Sequence, residues 1–356
     1  MRALLQDIGH LWRTAWSFKA ALLYLITLTI VVLLLPVLPL PYTPNQLDLQ
    51  HVFLKPFSES AHPLGTDQLG RDVLVNLLYG ARNGLLIAVP VMVLSSVIGT
   101  GIGAVAGYFG NYRITIKRST LLAAGSCLLL TLYYSLYVPV QASQHHNPAG
   151  AIVSSVGVGV ALCLLCWFGL RRLLHWSRFL RQATSLPLDS FILRVIELLT
   201  SLPRLLLLIS IAAFATPSVM LLSAIFVCTY WTSTARLARA EMLRIKNLPY
   251  IEAAVSTGMS HGRIICKEAL PNLTSPVIVA FIFGAAGLLA IESTLSFLGI
   301  GLPATFPSWG RTIAGIRSNL SAWWLVAFPG GFLALTVLAL QTCSYHLMQL
   351  RQNRSR

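Results

Sequence analysis

Few residues in this 356-residue chain could do chemistry: it holds 11 Asp and Glu and 8 His. Glu292 stands inside the apolar run 280–298. An ionisable group at such a place lines a pathway or pairs with a neighbour; Ser293, Thr294 and Ser296 could equally satisfy it locally. His145 and His146 are adjacent, but two neighbouring imidazoles without further ligands do not make a metal site. Cys163 and Cys166 form a CxxC, yet both lie in the apolar stretch 161–167 with no polar partner. They read as packing groups, and no disulfide framework follows. No GxxxxGK[ST] phosphate loop occurs, so nucleotide binding by such a loop is excluded. No catalytic constellation, metal site or cofactor is expected on this chain, which reads as a non-enzyme. The longest polar connection that follows an apolar run on the Lys- and Arg-rich side extends from about Arg239 to Asn272.

That segment contains LRIKNLPYIEAAVSTGMSHGRIICKEALPN. Pro249 suits the first turn of a helix. Ile251, Ala254 and Val255 would make a short apolar stripe. Gly258 would break that helix or admit another backbone closely. A second short helix is expected from Ser260 to Ala269, ending against Pro271. Small side chains on a short helix suit docking into a groove on a partner; an ordinary interfacial loop is the other reading.

Composition says what must hold this loop. Hydrophobic residues make up 56% and charged residues 10%, with a mean hydropathy of +0.72; soluble domains carry about 25% charged residues. The chain is therefore expected to be an all-α polytopic membrane protein. About eight spans are read at 20–40, 84–108, 119–140, 149–170, 192–215, 218–238, 273–298 and 324–347. The first is too long for a signal-peptide core and has no small-residue cleavage site after it. Net charge is +15. The Lys and Arg residues cluster in alternate connections rather than one patch, which argues against nucleic acid. By the positive-inside rule they place both termini and the 239–272 loop in the cytoplasm. Outside, Thr66 is expected to cap an interfacial helix carrying Leu69, Val73, Leu74, Leu77 and Leu78. Arg311 and Arg317 read as a solvated outer face, and Arg194 with Glu197 as a structural pair. Trp323, Trp324, Tyr133, Tyr134 and Tyr137 read as interfacial anchors.

Glu252-Ala253-Ala254, Gly258 and Leu270-Pro271 resemble the E-A-A-x-x-x-G and downstream L-P motif of ABC importer permeases. The resemblance implies that this loop is a coupling helix on an ATP-hydrolysing partner. Where the family has isoleucine three residues before the proline, Glu268 stands; Ile264 and Ile265 are candidate substitutes. The stretch His62 to Asp72, then Tyr79-Gly80-Ala81-Arg82, resembles dipeptide/oligopeptide/nickel permeases. So do 295–301, Pro307-Ser308-Trp309-Gly310, Ala322-Trp323-Trp324 and Phe328-Pro329-Gly330, closest to a C-type subunit. Residues 111–187 depart from that family. Their 77 positions encode two extra spans and the basic stretch Arg171 to Arg181.

The expected organisation is a cytoplasmic N-terminus (1–19), two spans with an external segment (20–110), an inserted hairpin (111–187), the core permease with its loop (188–350) and a cytoplasmic tail (351–356). That is a six-helix type I importer core plus a hairpin. The resemblance further implies a bacterial inner-membrane location, a second permease, two ATP-binding subunits carrying ATP and Mg, and an external substrate-binding protein for di- or oligopeptides. Nickel or another small cargo, a secondary carrier acting alone, and a membrane scaffold are the alternatives.

Overall fold

A computed structural model describes residues 9, 11–13, 15–112, 115–134, 157–165, 167–169, 182–213 and 216–354. The chain divides into two compact units. One comprises Met1–Tyr108 with Ile192–Arg356, the other Phe109–Phe191.

In the first unit, α1 (Trp16–Leu34) and α2 (Val73–Phe109) are joined by an irregular segment. Further along the chain come α4 (Leu188–Ser201), α5 (Arg204–Ala213), α6 (Val219–Ile245) and α7 (Pro249–Ser256). A short α8 (His261–Arg263) passes through a π-turn (Ile264–Ala269) into α9 (Leu270–Leu298). Then follow α10 (Trp309–Ala314), a 3₁₀ turn (Gly315–Arg317) and α11 (Trp324–Arg354). In the second unit, α3 (Arg118–Leu132) is preceded by β1 (Thr115–Lys117), which pairs antiparallel with β2 (Ala183–Ser185), Ile116 opposite Thr184. The sequence carries no alternating pattern that would announce so short a ribbon.

Four described helices are long and apolar enough to cross a membrane: Trp16–Leu34, Val73–Phe109, His261–Leu298 and Trp324–Leu350. The protein is a helical, multi-pass membrane protein; four of the eight expected spans, 20–40, 84–108, 273–298 and 324–347, are met among the described residues by helices of spanning length. The expected span 192–215 is two helices, because Pro203 disfavours helical backbone at Leu202. The expected span 218–238 runs on to Ile245 and carries Thr229, Thr232, Thr234 and Arg236 along its length. Arg118–Thr131 and Gly157–Gly169 are shorter apolar helices. The other residues of 135–156, with His145, His146 and Tyr137, and the basic stretch 171–181 lie outside the described residues, as does Cys166. Cys163, Cys228, Cys266 and Cys343 carry free thiols.

The separate interfacial helix expected from Thr66 is absent. Helix α2 starts at Val73 and continues unbroken; at 37 residues it is about 55 Å long. Asp72 provides the N-terminal cap, its Oδ1 accepting from the Val75 amide at 2.8 Å. Thr66 instead accepts from the Leu54 amide and donates to the His51 carbonyl.

The core of this unit gathers Ile87 and Met92 of α2, Leu208 of α5, Leu222 and Phe226 of α6, and Leu288 and Leu295 of α9. Gly99, Gly103 and Gly107 line one face of α2 against α6. A Cβ at Gly103 would lie 2.3 Å from the Ala235 carbonyl, and one at Gly107 2.8 Å from the Arg239 carbonyl. This small-residue stripe at four-residue spacing lets the two backbones touch. It fixes the helix that leads into the 246–272 loop.

Candidate functional site

The Lys246 ammonium closes the loop's first end by donating to the Gly107 carbonyl at 3.2 Å, in the last turn of α2. A cation is favourable there because helix C-terminal carbonyls carry partial negative charge. Leu248 is extended, and Pro249 begins α7 without needing a hydrogen-bond acceptor. Ile251 is the buried anchor of α7. Glu252, Ala253 and Val255 are exposed, and Ala254 is half-buried. The apolar stripe expected of Ile251, Ala254 and Val255 is thus split, with one residue facing inward.

Gly258 ends α7 at φ +76°. Its amide donates to the Val255 carbonyl at 3.0 Å, and the Met259 amide to Ala254 at 3.1 Å. This is a Schellman closure, which satisfies carbonyls the helix end would otherwise leave unpaired. No atom lies within 4 Å of a Cβ added at Gly258, so within this chain the glycine serves backbone conformation.

The second expected helix does not stop at Pro271. The Leu270 amide donates to the Ile265 carbonyl, a five-residue step that widens the turn. Pro271, which has no N–H, sits in the first turn of α9, and the rod runs on to Leu298. Ile264 and Ile265 are both buried, and so is Ala269, while Glu268 is half-buried. Tyr108 and His261 hydrogen-bond at 2.9 Å, and the Asn272 amide donates to the Tyr250 hydroxyl at 2.8 Å and to the Glu268 carbonyl at 3.0 Å. The loop is therefore strapped to α2 and α9 while Ala253 faces outward. Sequence reasoning missed the straps Lys246, Tyr108 and Asn272; the glycine spacing 99–103–107, which it did not use, is the signal that could have pointed to the α2–α6 pair.

At the opposite end of α2 the other quoted stretches meet. The Trp309 indole donates to the Leu77 carbonyl at 2.9 Å and lies where a Gly80 side chain would fall. Asn83 donates to the Pro307 carbonyl at 2.9 Å. The Trp324 indole donates to the Thr66 carbonyl at 3.0 Å. Trp324 is thus buried rather than an interfacial anchor, whereas Trp323 is exposed. Arg311 is not a solvated group: its guanidinium donates to the carbonyls of Leu302 (3.0 Å) and Pro303 (2.6 Å), gathering the 302–307 turn. Arg317 is exposed and lies over the Phe297 ring. Arg194 and Glu197 pair at 3.1 Å on an exposed face. Glu292 is buried, its carboxylate accepting from Ser296 at 2.8 Å and Ser293 at 3.4 Å.

The segment before α2 holds a cluster that sequence reasoning did not single out. His62 Nδ1 lies 2.9 Å from Asp72 Oδ2, and His62 Nε2 lies 3.7 Å from Asp48 Oδ2. The same Asp48 oxygen is 2.9 Å from His51 Nδ1. This hydrogen bond holds the His51 imidazole above its ordinary pKa and the Asp48 carboxyl below its own. Gly70 makes the fold of this segment tight: a Cβ there would overlap the Asp48 carbonyl at 1.7 Å.

Residues 182–355 match the family described as binding-protein-dependent transport system inner membrane components. A putative peptide transport system permease protein of Brucella suis is 27% identical over 325 residues, covering 91% of this chain and 82% of that protein. The oligopeptide transport system permease protein OppC of Haemophilus influenzae is 27% identical over 339 residues, 94% and 84% of the two chains. The dipeptide transport system permease protein DppC of Bacillus subtilis is 29% identical over 280 residues, 78% and 64%. Residues 182–355, where the exposed, strapped loop is found, are thus the part of the chain that is similar to the binding-protein-dependent transport system inner membrane components.

Proposed function

We propose that this chain is one permease subunit of an ATP-driven importer of di- or oligopeptides, and that α7 is its coupling helix. The observation that carries the reading is α7 itself: a capped eight-residue helix presenting Glu252 and Ala253 outward, closed by Gly258 and held by buried Ile251. The names of its relatives supply the cargo class. ATP and Mg²⁺ belong in this reading to two partner ATP-binding subunits. A second permease completes the pathway, and an external binding protein delivers the peptide. The Lys and Arg bias supports a cytoplasmic 246–272 loop and cytoplasmic termini.

The straps make the mechanism physical. A push on α7 reaches α9 through the Tyr250–Asn272 bond and α2 through Lys246 and Gly107. Closing the ATPase dimer would therefore move these helices together and open the pathway outward; hydrolysis would reset it. Leu270 and Pro271 act through the turn that joins the loop to α9. Glu292, satisfied by Ser293 and Ser296, is assigned a structural part in place of a gate. The test is Glu252→Lys in the reconstituted complex. Loss of peptide uptake and of ATPase association is expected; wild-type values for both would remove α7 from the coupling role.

A further inference from the structure

The cluster Asp48, His51 and His62 plays no part in the coupling just described, and its geometry is that of a ligand set. Each residue offers one ligand atom, and the three atoms lie within 4.8 Å of one another. Zinc bonds to nitrogen and oxygen are about 2.0–2.1 Å, which puts the ligands of a tetrahedral ion roughly 3.3–3.4 Å apart. The observed separations from Asp48 Oδ2, 2.9 Å to His51 Nδ1 and 3.7 Å to His62 Nε2, bracket that spacing.

A second observation points independently to a ligand. His62 is 1% exposed, and its Nε2 has no hydrogen-bond partner among the described residues. Its other nitrogen faces the Asp72 carboxylate at 2.9 Å. A carboxylate in this position accepts from Nδ1, and in the neutral imidazole that tautomer leaves Nε2 with a lone pair. A buried lone pair left unmatched is costly. Carboxylate–histidine–metal is the arrangement in which that lone pair has a purpose. The ring is further held by stacking on Tyr42, with centroids 4.4 Å apart. Asp72 is itself locked as the cap of α2.

We infer that Asp48, His51 and His62 bind one divalent transition-metal ion of the zinc class, with Asp72 as the positioning residue. Two imidazoles and one carboxylate suit such an ion; magnesium and calcium ask for oxygen ligands throughout. The side chains of His51 and Asp48 are 37% and 26% exposed, which leaves an entry path and room for water as fourth ligand. The ion would pin the segment before α2 to the start of that helix. The sequence reading expected no metal here because the ligands are spread over fifteen positions without a recognisable spacing.

The inference does not rest on the transport reading, and its test reads metal directly. The assembled transporter, purified without a polyhistidine tag and stripped by chelator, is titrated with Zn²⁺, and bound metal is counted per permease. Co²⁺ in its place is followed by visible absorption. Wild type is expected to bind one ion above the count of His51→Gln and His62→Gln complexes, with the intense d–d bands of a tetrahedral site. Asp72→Asn should weaken binding about 10- to 100-fold. The double variant His145→Gln, His146→Gln should bind as wild type. His62 is buried and its variant could fail to assemble, so His51→Gln, on a half-exposed side chain, decides in that event. Equal Zn²⁺ count and affinity in wild type and His51→Gln, or no Zn²⁺ on wild type at micromolar metal, would overturn the assignment.

Discussion

Gly258→Ala isolates the conformational part of the coupling loop. The residue has φ +76°, and an added Cβ meets nothing within 4 Å. The change therefore removes no contact and creates no clash inside the chain. Its cost is that of holding an L-residue in left-handed backbone, about 1–2 kcal/mol, which shifts the population of the closed turn roughly 5- to 30-fold. Loss of the turn frees the carbonyls of Ala254 and Val255 and unfixes the direction of α7. In proteoliposomes, peptide uptake and substrate-stimulated ATPase should fall together, while the amount of assembled complex stays near wild type. Gly262→Ala is the matched control. It lies in α8, has no positive φ, and is equally open; alanine favours helix over glycine by about 1 kcal/mol. If the two alanine variants behave alike, conformation at Gly258 is not what the loop depends on.

Other consequences are as definite. Gly103→Leu forces α2 from α6 against a backbone carbonyl 2.3 Å away; a loss of about 3 kcal/mol or more is expected from overpacking, seen as collapse of detergent-stable protein, whereas Gly101→Leu, which meets nothing within 4 Å, should leave yield unchanged. Comparable yields would contradict the glycine-stripe packing. Trp309→Phe removes the donor to the buried Leu77 carbonyl and should lower thermal stability by about 1–3 kcal/mol; an unchanged melting curve would show the bond is dispensable. Glu292→Gln keeps an acceptor for Ser296 and should retain uptake, while Glu292→Leu strands the two serine hydroxyls and should reduce assembly. Lost uptake with normal assembly in the glutamine variant would return Glu292 to the pathway.

What could be read from the chain and what could not divides by the range of the interaction responsible. The helix start at Pro249 and its stop at Gly258 are local events, decided by a missing N–H and a missing Cβ, and they stand where the residues put them. Pro271 obeys the same local rule but is rescued: the widened turn at Ile264–Ala269 absorbs the lost donor, so a residue read as a stop lies inside a 38-residue rod. The roles of Trp324 and Arg311 were misjudged because side-chain type alone suggests an interfacial anchor and a solvated cation. Their partners, the carbonyls of Thr66 in one case and of Leu302 and Pro303 in the other, are set by folding. Likewise Thr66 and Asp67 looked like a helix start, yet Asp67 Oδ1 binds the Leu69 and Arg71 amides in a tight turn and leaves the capping to Asp72. The Asp48–His51–His62 cluster needs the chain to double back at Gly70, which no pattern in the residues announces.

The central claim is that α7 meets an ATP-hydrolysing partner. The direct measurement is affinity purification of the tagged chain from its native membrane in mild detergent, with every co-eluting protein identified. The account predicts that an ATP-binding subunit and a second permease elute with the wild-type chain, and that the ATP-binding subunit is lost from Glu252→Lys. A wild-type chain that elutes alone, or a Glu252→Lys chain that retains the ATP-binding subunit in full, would contradict it.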